Sequence, residues 1–152
     1  MYCPVCEYDL QKLTVTTTSG GIFDVDHCGR CGGTWFDPYE INRIPYHEVV
    51  RLAAVTVLPK KHVAAPKVLH CPRDHRVMKN YYGQAVPAGV RLFWCKKCLG
   101  IWASQKALVD FKMHQEGSIM EYKEGERAFP ALSVVFIPAM LTSILFLLRF
   151  WL

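Results

Sequence analysis

Seven cysteines are the residues of this 152-residue chain whose type and spacing most clearly predict chemistry. Cys3 and Cys6 form one C-x2-C pair, and Cys28 and Cys31 form a second. Two thiolates separated by two residues can hold one side of a tetrahedral metal ion, with each sulfur about 2.3 Å from a zinc ion. Two such pairs complete a four-thiolate set, so the N-terminal segment predicts a structural metal centre.

The cysteine spacing recurs later in the chain with one change. Cys71, Cys95 and Cys98 take the places of three of the first four cysteines, and Asp74 stands where the register requires the fourth ligand. His75 is the alternative, because three thiolates with one imidazole also make a structural zinc set. The sequence therefore predicts two zinc ions per chain, with register favouring Asp74 and the range of known ligand sets favouring His75.

The duplication extends beyond the metal ligands. Both halves share the pattern C-P-x-[C/D] followed by C-x2-C-x-G-x-W, which ends at Trp35 in the first half and at Trp102 in the second. The equivalent Cys28 and Cys95 lie 67 positions apart. Many matched positions at one period indicate an internal duplication. We expect each tryptophan to lie in the core and cover the metal, because one large ring supplies much of the apolar area of a small fold.

Both halves resemble the small bacterial zinc ribbons of the transcription-factor-IIB type, in which CPxC, a hairpin, CxxCGGxWxD and a short helix follow one another. Residues 1–44 match nearly every position of that pattern. Residues 71–112 depart from it at Asp74, Leu99 and Ser104. The resemblance implies a zinc-ribbon fold and a bound metal, and a shared fold by itself assigns no role in transcription.

Each half is expected to be a β hairpin followed by a short helix. Runs rich in β-branched residues beside glycine-containing turns predict strands at residues 13–18, 22–27, 77–82 and 90–94. Asp37 and Ser104 are the predicted N-caps of the helices, and Gly117 is the predicted end of the last one. Residues 46–58 are expected to form a further helix before Pro59.

The C-terminal part of the chain has a different composition. Residues 128–148 contain no charged side chain, and as a helix they would span about 30 Å, which matches the apolar core of a bilayer. Free thiolates need a reducing compartment, so we expect a single-pass protein of the cell membrane with both ribbons facing the cytoplasm. More basic residues precede the apolar segment than follow it, which favours the same orientation.

The predicted fold class is thus a small metal-stabilised α+β protein: two tandem zinc ribbons, each a β hairpin with a short helix, followed by one C-terminal transmembrane α-helix. Ribbons of this size cannot fold on apolar burial alone, so zinc binding is expected to supply much of their folding free energy. The expected divisions are the first ribbon with its helices at 1–58, a basic linker at 59–70, the second ribbon with its helix at 71–117, a juxtamembrane segment at 118–127 and the span at 128–148.

Charge is distributed unevenly along the chain. Residues 1–58 hold four basic and seven acidic side chains, whereas residues 59–127 hold thirteen basic and six acidic ones. A basic surface is typical of proteins that contact nucleic acid or anionic lipid. The candidate contacts lie around the second metal site, at Arg73, Arg76, Lys79, Arg91, Lys96 and Lys97.

No phosphate-binding loop, nucleophile triad or catalytic carboxylate pair is recognisable, so we expect a protein that is not an enzyme. The favoured hypothesis is a membrane-anchored adaptor that binds an unidentified protein partner from the cytoplasmic face. One alternative is a membrane-tethered nucleic-acid-binding ribbon, and another is a rubredoxin-like iron electron carrier, which the carboxylate at Asp74 disfavours. Small residues at Ala139 and Ser143 would allow close helix contact in a homo-oligomer.

Overall fold

The computed structural model describes residues 1–55, 66–83 and 85–124 of the chain. The chain divides into two units, Met1–Gln115 and Glu116–Leu152. The described residues of the first unit form six strands, namely β1 (Gln11–Thr16), β2 (Ile22–His27), β3 (Thr34–Phe36), β4 (Lys79–Tyr81), β5 (Leu92–Trp94) and β6 (Ile101–Ala103). Its helices are α1 (Glu40–Arg43), α2 (Tyr46–Ala54) and α3 (residues 105–115). In the second unit, residues 116–124 are helical.

All six strands belong to one antiparallel sheet with the order β1-β2-β3-β6-β5-β4. Each half of the chain supplies three consecutive strands, and the halves join where β3 pairs with β6. Trp35 lies directly opposite Trp102 in that pairing. The small α+β class and the two metal sites agree with the sequence prediction. The shared sheet was not foreseen, because no feature of either repeat alone specifies what its third strand pairs with.

The sheet separates two apolar clusters, because successive side chains of a strand point to opposite faces. Phe36 belongs to one cluster and its neighbour Trp35 to the other. The first cluster includes residues from all three helices, among them Leu52 of α2 and Phe111 of α3. The second cluster gathers the two tryptophans with cysteines of both metal sites, namely Cys3, Cys28, Cys71 and Cys95. Both apolar clusters are therefore common to the two ribbons.

The two predicted helix caps have different outcomes. Ser104 is confirmed, because its Oγ accepts a hydrogen bond from the Ala107 N–H at 3.3 Å and its carbonyl accepts one from the Leu108 N–H at 2.9 Å. Asp37 was wrongly predicted, because α1 begins at Glu40 after a left-handed residue and has no side-chain cap. Glu40 still accepts a hydrogen bond from the Asp37 N–H at 2.7 Å, which is one half of a capping box.

The four predicted strands correspond to β1, β2, β4 and β5, whereas β3 and β6 were not predicted. Two helix ends also differ from the prediction. Gly117 does not end a helix, because the described residues on both sides of it are helical. α2 ends at Ala54, and residues 56–58 of its predicted range lie outside the described residues. Within residues 1–55, 66–83 and 85–124, the structure contains no helix that is long and apolar enough to cross a bilayer. The apolar segment 128–148 lies outside those residues, as does most of the predicted linker.

Candidate metal centres

The first candidate metal centre consists of Cys3, Cys6, Cys28 and Cys31, whose sulfur atoms all lie within 4.8 Å of one another. The Sγ atoms of Cys3 and Cys31 are 3.5 Å apart, and those of Cys6 and Cys28 are 3.4 Å apart. A disulfide bond is about 2.05 Å long, so all four are free thiols. Tetrahedral zinc with bonds of about 2.3 Å requires sulfur atoms roughly 3.8 Å apart. The group therefore has the size of a zinc site.

The turns that carry these cysteines direct backbone N–H groups at the sulfurs. The N–H of Val5 lies 3.4 Å from Cys3 Sγ, and the N–H of Cys31 lies 3.5 Å from Cys28 Sγ. The chain then leaves each turn through a residue with positive φ, which is Glu7 after the first pair and Gly32 after the second. N–H groups that point at a sulfur favour its thiolate form, so the local backbone prepares both turns for a metal.

The second centre consists of Cys71, Asp74, Cys95 and Cys98, whose ligand atoms also lie within 4.8 Å of one another. The two carboxylate oxygens of Asp74 are 3.4 and 3.2 Å from Cys95 Sγ, and the Sγ atoms of Cys71 and Cys98 are 3.6 Å apart. The structure thus brings the first of the two candidate ligands into the group. His75 takes the left-handed backbone position that Glu7 takes in the first ribbon, and it is exposed outside the group.

The protonation of these groups favours a bound cation. Hydrogen bonding to Cys28 and Cys31, together with burial, raises the pKa of Cys3. Hydrogen bonding to Cys3 and Cys31 lowers the pKa of Cys28. Burial raises the pKa of Cys71. Desolvation acts upward on the pKa of Asp74, but hydrogen bonds from the Arg76 N–H and from thiols hold it below its ordinary value. Negatively charged ligands this close together repel one another, and a bound divalent cation offsets that repulsion.

Among the described residues, no histidine belongs to the first centre. His27 is buried, and its Nδ1 lies 3.0 Å from the hydroxyl of Thr34. Burial lowers the pKa of His27, so the ring is neutral at pH 7. His27 is therefore a buried core residue and not a metal ligand.

Each tryptophan packs against the other ribbon, which the sequence analysis did not predict. A Cβ atom placed on Gly33 would lie 2.2 Å from Cζ2 of Trp102, and one placed on Gly100 would lie 2.2 Å from Cζ2 of Trp35. Both rings are fully buried. The shared C-x2-C-x-G-x-W pattern contained the signal, because each half needs a glycine where the ring of the other half arrives.

An ion pair also joins the ribbons. Arg73 Nη2 lies 2.6 Å from Asp37 Oδ2, so the carboxylate that the sequence suggested as a helix cap pairs instead with the second ribbon. Arg73 was one of the candidate nucleic-acid contacts. The other five candidates, Arg76, Lys79, Arg91, Lys96 and Lys97, are exposed.

These features define a pair of four-ligand zinc sites built on one sheet. Comparison with protein families agrees for the first half: residues 2–45 match the transcription factor zinc-finger family, a zinc ribbon of the IIB type. No curated protein matches the chain, and no solved structure does. The predicted complement of two zinc ions is confirmed, with Cys3, Cys6, Cys28 and Cys31 at one site and Cys71, Asp74, Cys95 and Cys98 at the other.

Proposed function

We propose that this chain is a non-catalytic binding module in which two zinc ions hold a rigid docking platform. In this proposal, segment 128–148 anchors the platform to the cell membrane, and both ribbons face the cytoplasm. The zinc ions have a structural role and do not activate water. The module acts as an adaptor that brings a protein partner to the membrane surface.

The observation that carries the proposal is that both metal centres are closed. Each centre has four protein ligand atoms within 4.8 Å of one another. Structural zinc sites have four protein ligands, whereas catalytic sites keep a coordination position for water or substrate. Cys3, Cys28, Cys71 and Cys95 are also buried, which keeps solvent from the metal. A site of this kind stabilises a surface, so we place the function on the surface of the sheet.

Membrane attachment is supported by the composition of residues 128–148 and by the free thiols. A reducing compartment suits seven unpaired cysteines, and the cytoplasm is such a compartment. The test is fractionation of cells that express the full chain, compared with a chain that ends at Arg127. We expect only the full chain to stay in the membrane after alkaline carbonate, and protease added to intact cells to leave the ribbons uncut. Ribbons cut from outside the cell would contradict the proposed orientation.

A nucleic-acid-binding module is the second candidate, and the five exposed basic side chains around the second centre favour it. It differs from a protein adaptor in its dependence on salt. Each phosphate contact contributes roughly −0.7 to the slope of log affinity against log salt for a single strand. Titration of the full chain with a labelled twelve-nucleotide single strand at increasing salt distinguishes the two. A steep slope would favour the second candidate.

A further inference from the structure

The two outer edges of the sheet differ, although the strands that form them are duplicates. β1 is one edge and β4 is the other. Arg51 Nη2 of α2 donates a hydrogen bond to the Thr14 carbonyl of β1 at 2.6 Å. Glu48 of the same helix accepts a hydrogen bond from the Thr16 hydroxyl at 2.7 Å. Side chains of α2 therefore occupy part of the first edge, at Thr14 and Thr16.

The second edge carries free backbone groups at Asn80. Cys95 donates its N–H to the Gly100 carbonyl, so alternation along β5 directs the backbone groups of Trp94 and Leu92 toward β4. Lys79 and Tyr81 face those two residues, and the N–H and C=O of Asn80 consequently point away from the sheet. Within the described part of the chain, no residue bonds to these two groups. Unpaired groups of this kind are a template for another strand.

Aromatic and basic side chains lie on β4 and next to it on the β5 side. A cleft of about 540 Å³ is lined by residues of β4 and its surroundings, including Tyr81, Tyr82 and Trp94. Tyr82 is 86% exposed, and the rings of Tyr81 and Trp94 meet edge to face at 6.3 Å. Lys79 lies in the strand and Arg91 comes directly before β5. Across residues 66–115 the chain has nine basic side chains and two acidic ones, one of which is the zinc ligand Asp74.

We propose that β4 binds an extended acidic peptide of a partner protein, which adds as a seventh strand to the sheet. The backbone of Asn80 would exchange hydrogen bonds with the peptide, which is the ordinary source of affinity in strand addition. The aromatic cleft would receive an apolar side chain of the peptide, and Lys79 and Arg91 would face its carboxylates. This inference rests on the proposed binding function and assigns it to one edge and one class of partner.

The test starts from the full chain, purified in mild detergent with both zinc ions bound. A random dodecapeptide phage library is selected against it, and the enriched peptides are labelled and titrated by fluorescence anisotropy. Asn80→Pro is the diagnostic variant, because it removes the outward N–H and leaves the β4–β5 hydrogen bonds in place. Proline is tolerated at such edge positions. Asn80→Ala keeps the N–H, and Lys12→Pro makes the corresponding change in β1, so both serve as controls, with zinc content checked for each.

We expect the enriched peptides to be acidic with an aromatic or branched apolar residue. We expect Asn80→Pro to weaken their binding about tenfold, the equivalent of one lost hydrogen bond, and Tyr82→Ala to weaken it as well. Lys12→Pro should bind as the unmodified chain does. Asn80→Ala should bind more tightly than Asn80→Pro, because both variants lose the hydrogen bond from Asn80 Nδ2 to the Tyr82 hydroxyl and only the alanine variant keeps the backbone N–H. Acidic peptides that bind all variants equally would overturn the assignment of the edge and leave the binding function standing.

Three further outcomes count against the proposal. Enrichment of basic or uncharged peptides would overturn the partner class. A single-stranded oligonucleotide or anionic lipid vesicles that bind this surface more tightly than any peptide would replace the partner with another kind of ligand. Failure to enrich any peptide would contradict both this proposal and the adaptor function on which it rests.

Discussion

The packing of each tryptophan against a glycine of the other ribbon yields a quantitative prediction for Gly100→Ala. The added methyl group would lie 2.2 Å from Cζ2 of Trp35, whereas carbon atoms in contact normally lie about 3.5–4.0 Å apart. The overlap exceeds 1 Å, and the ring is 0% exposed, so it has no space into which to move. We therefore expect the sheet to separate locally or the ring to be displaced.

The expected cost follows from these two outcomes. If the ring stays and its neighbours shift, overpacking costs about 1–3 kcal/mol. If the ring leaves the core, the loss resembles that of truncating a buried tryptophan, about 3–5 kcal/mol. Because small domains are stable by only about 5–15 kcal/mol, either value is measurable. Trp35 shares an apolar cluster with Cys3 and Cys28, so a change in the second ribbon should also weaken zinc binding in the first.

The assay combines chemical unfolding, followed by near-ultraviolet circular dichroism, with zinc release to a chromogenic chelator. Gly29→Ala is the control, because it adds the same methyl group to a metal-site turn where no atom lies within 4 Å. The double variant Gly100→Ala with Trp35→Phe should recover part of the stability, since a smaller ring relieves the overlap. Equal stability of Gly100→Ala and Gly29→Ala would refute the interlocked arrangement.

Three other predictions concern the metal centres and the junction. Cys28→Ser should lower the zinc content from two ions per chain and unfold the first ribbon, because structural zinc contributes on the order of 10 kcal/mol to folding. Elemental analysis measures the zinc content and circular dichroism the folding. A folded variant that still holds two zinc ions would contradict this prediction. Asp74→Ala should weaken zinc binding at the second site by more than the roughly 10–100-fold that follows loss of a group hydrogen-bonded to a ligand. His75→Ala should leave zinc affinity unchanged. Competition with a chelator measures both affinities, and the reverse ranking would make the histidine the ligand. Arg73→Ala should lower the free energy of unfolding in urea by only about 0–1 kcal/mol, because its ion pair with Asp37 is partly exposed. A decrease above about 2 kcal/mol would contradict this and show that the pair contributes strongly to the junction of the ribbons.

The metal ligands were predictable because residues that bind one metal ion in pairs lie only a few positions apart in the sequence. Two thiols separated by two residues can bind the same metal ion without help from distant parts of the chain. The spacing of Cys3 and Cys6 alone therefore predicts that both are ligands. Register with Cys6 favoured Asp74 as the fourth ligand, although His75 remained an alternative at the level of sequence. The two hairpins could also be predicted, because turn residues and runs of β-branched residues are recognisable within a few positions of the sequence.

The junction between the ribbons was not predictable in this way. Pairing of β3 with β6 joins residues far apart in sequence, and each strand has only three residues. Asp37 shows that a rule based on local sequence misses such a contact. Its sequence context favours a helix cap, yet its carboxylate pairs with Arg73 of the other ribbon and the helix begins three residues later. The local sequence therefore did not predict how the two ribbons join.

Duplication explains why the junction is symmetric and the edges are not. At the junction, the two copies of the repeated sequence pack against each other. The glycine of each half therefore leaves space for the tryptophan ring of the other half. A change at Gly33 or Gly100 therefore disturbs packing on which both ribbons depend. The outer edges differ: α2 bonds to the Thr14 carbonyl of β1, whereas within the described residues the outward backbone groups of Asn80 in β4 have no hydrogen-bond partner. The paired middle of the sheet thus provides stability, and its unmatched edge is where recognition can take place.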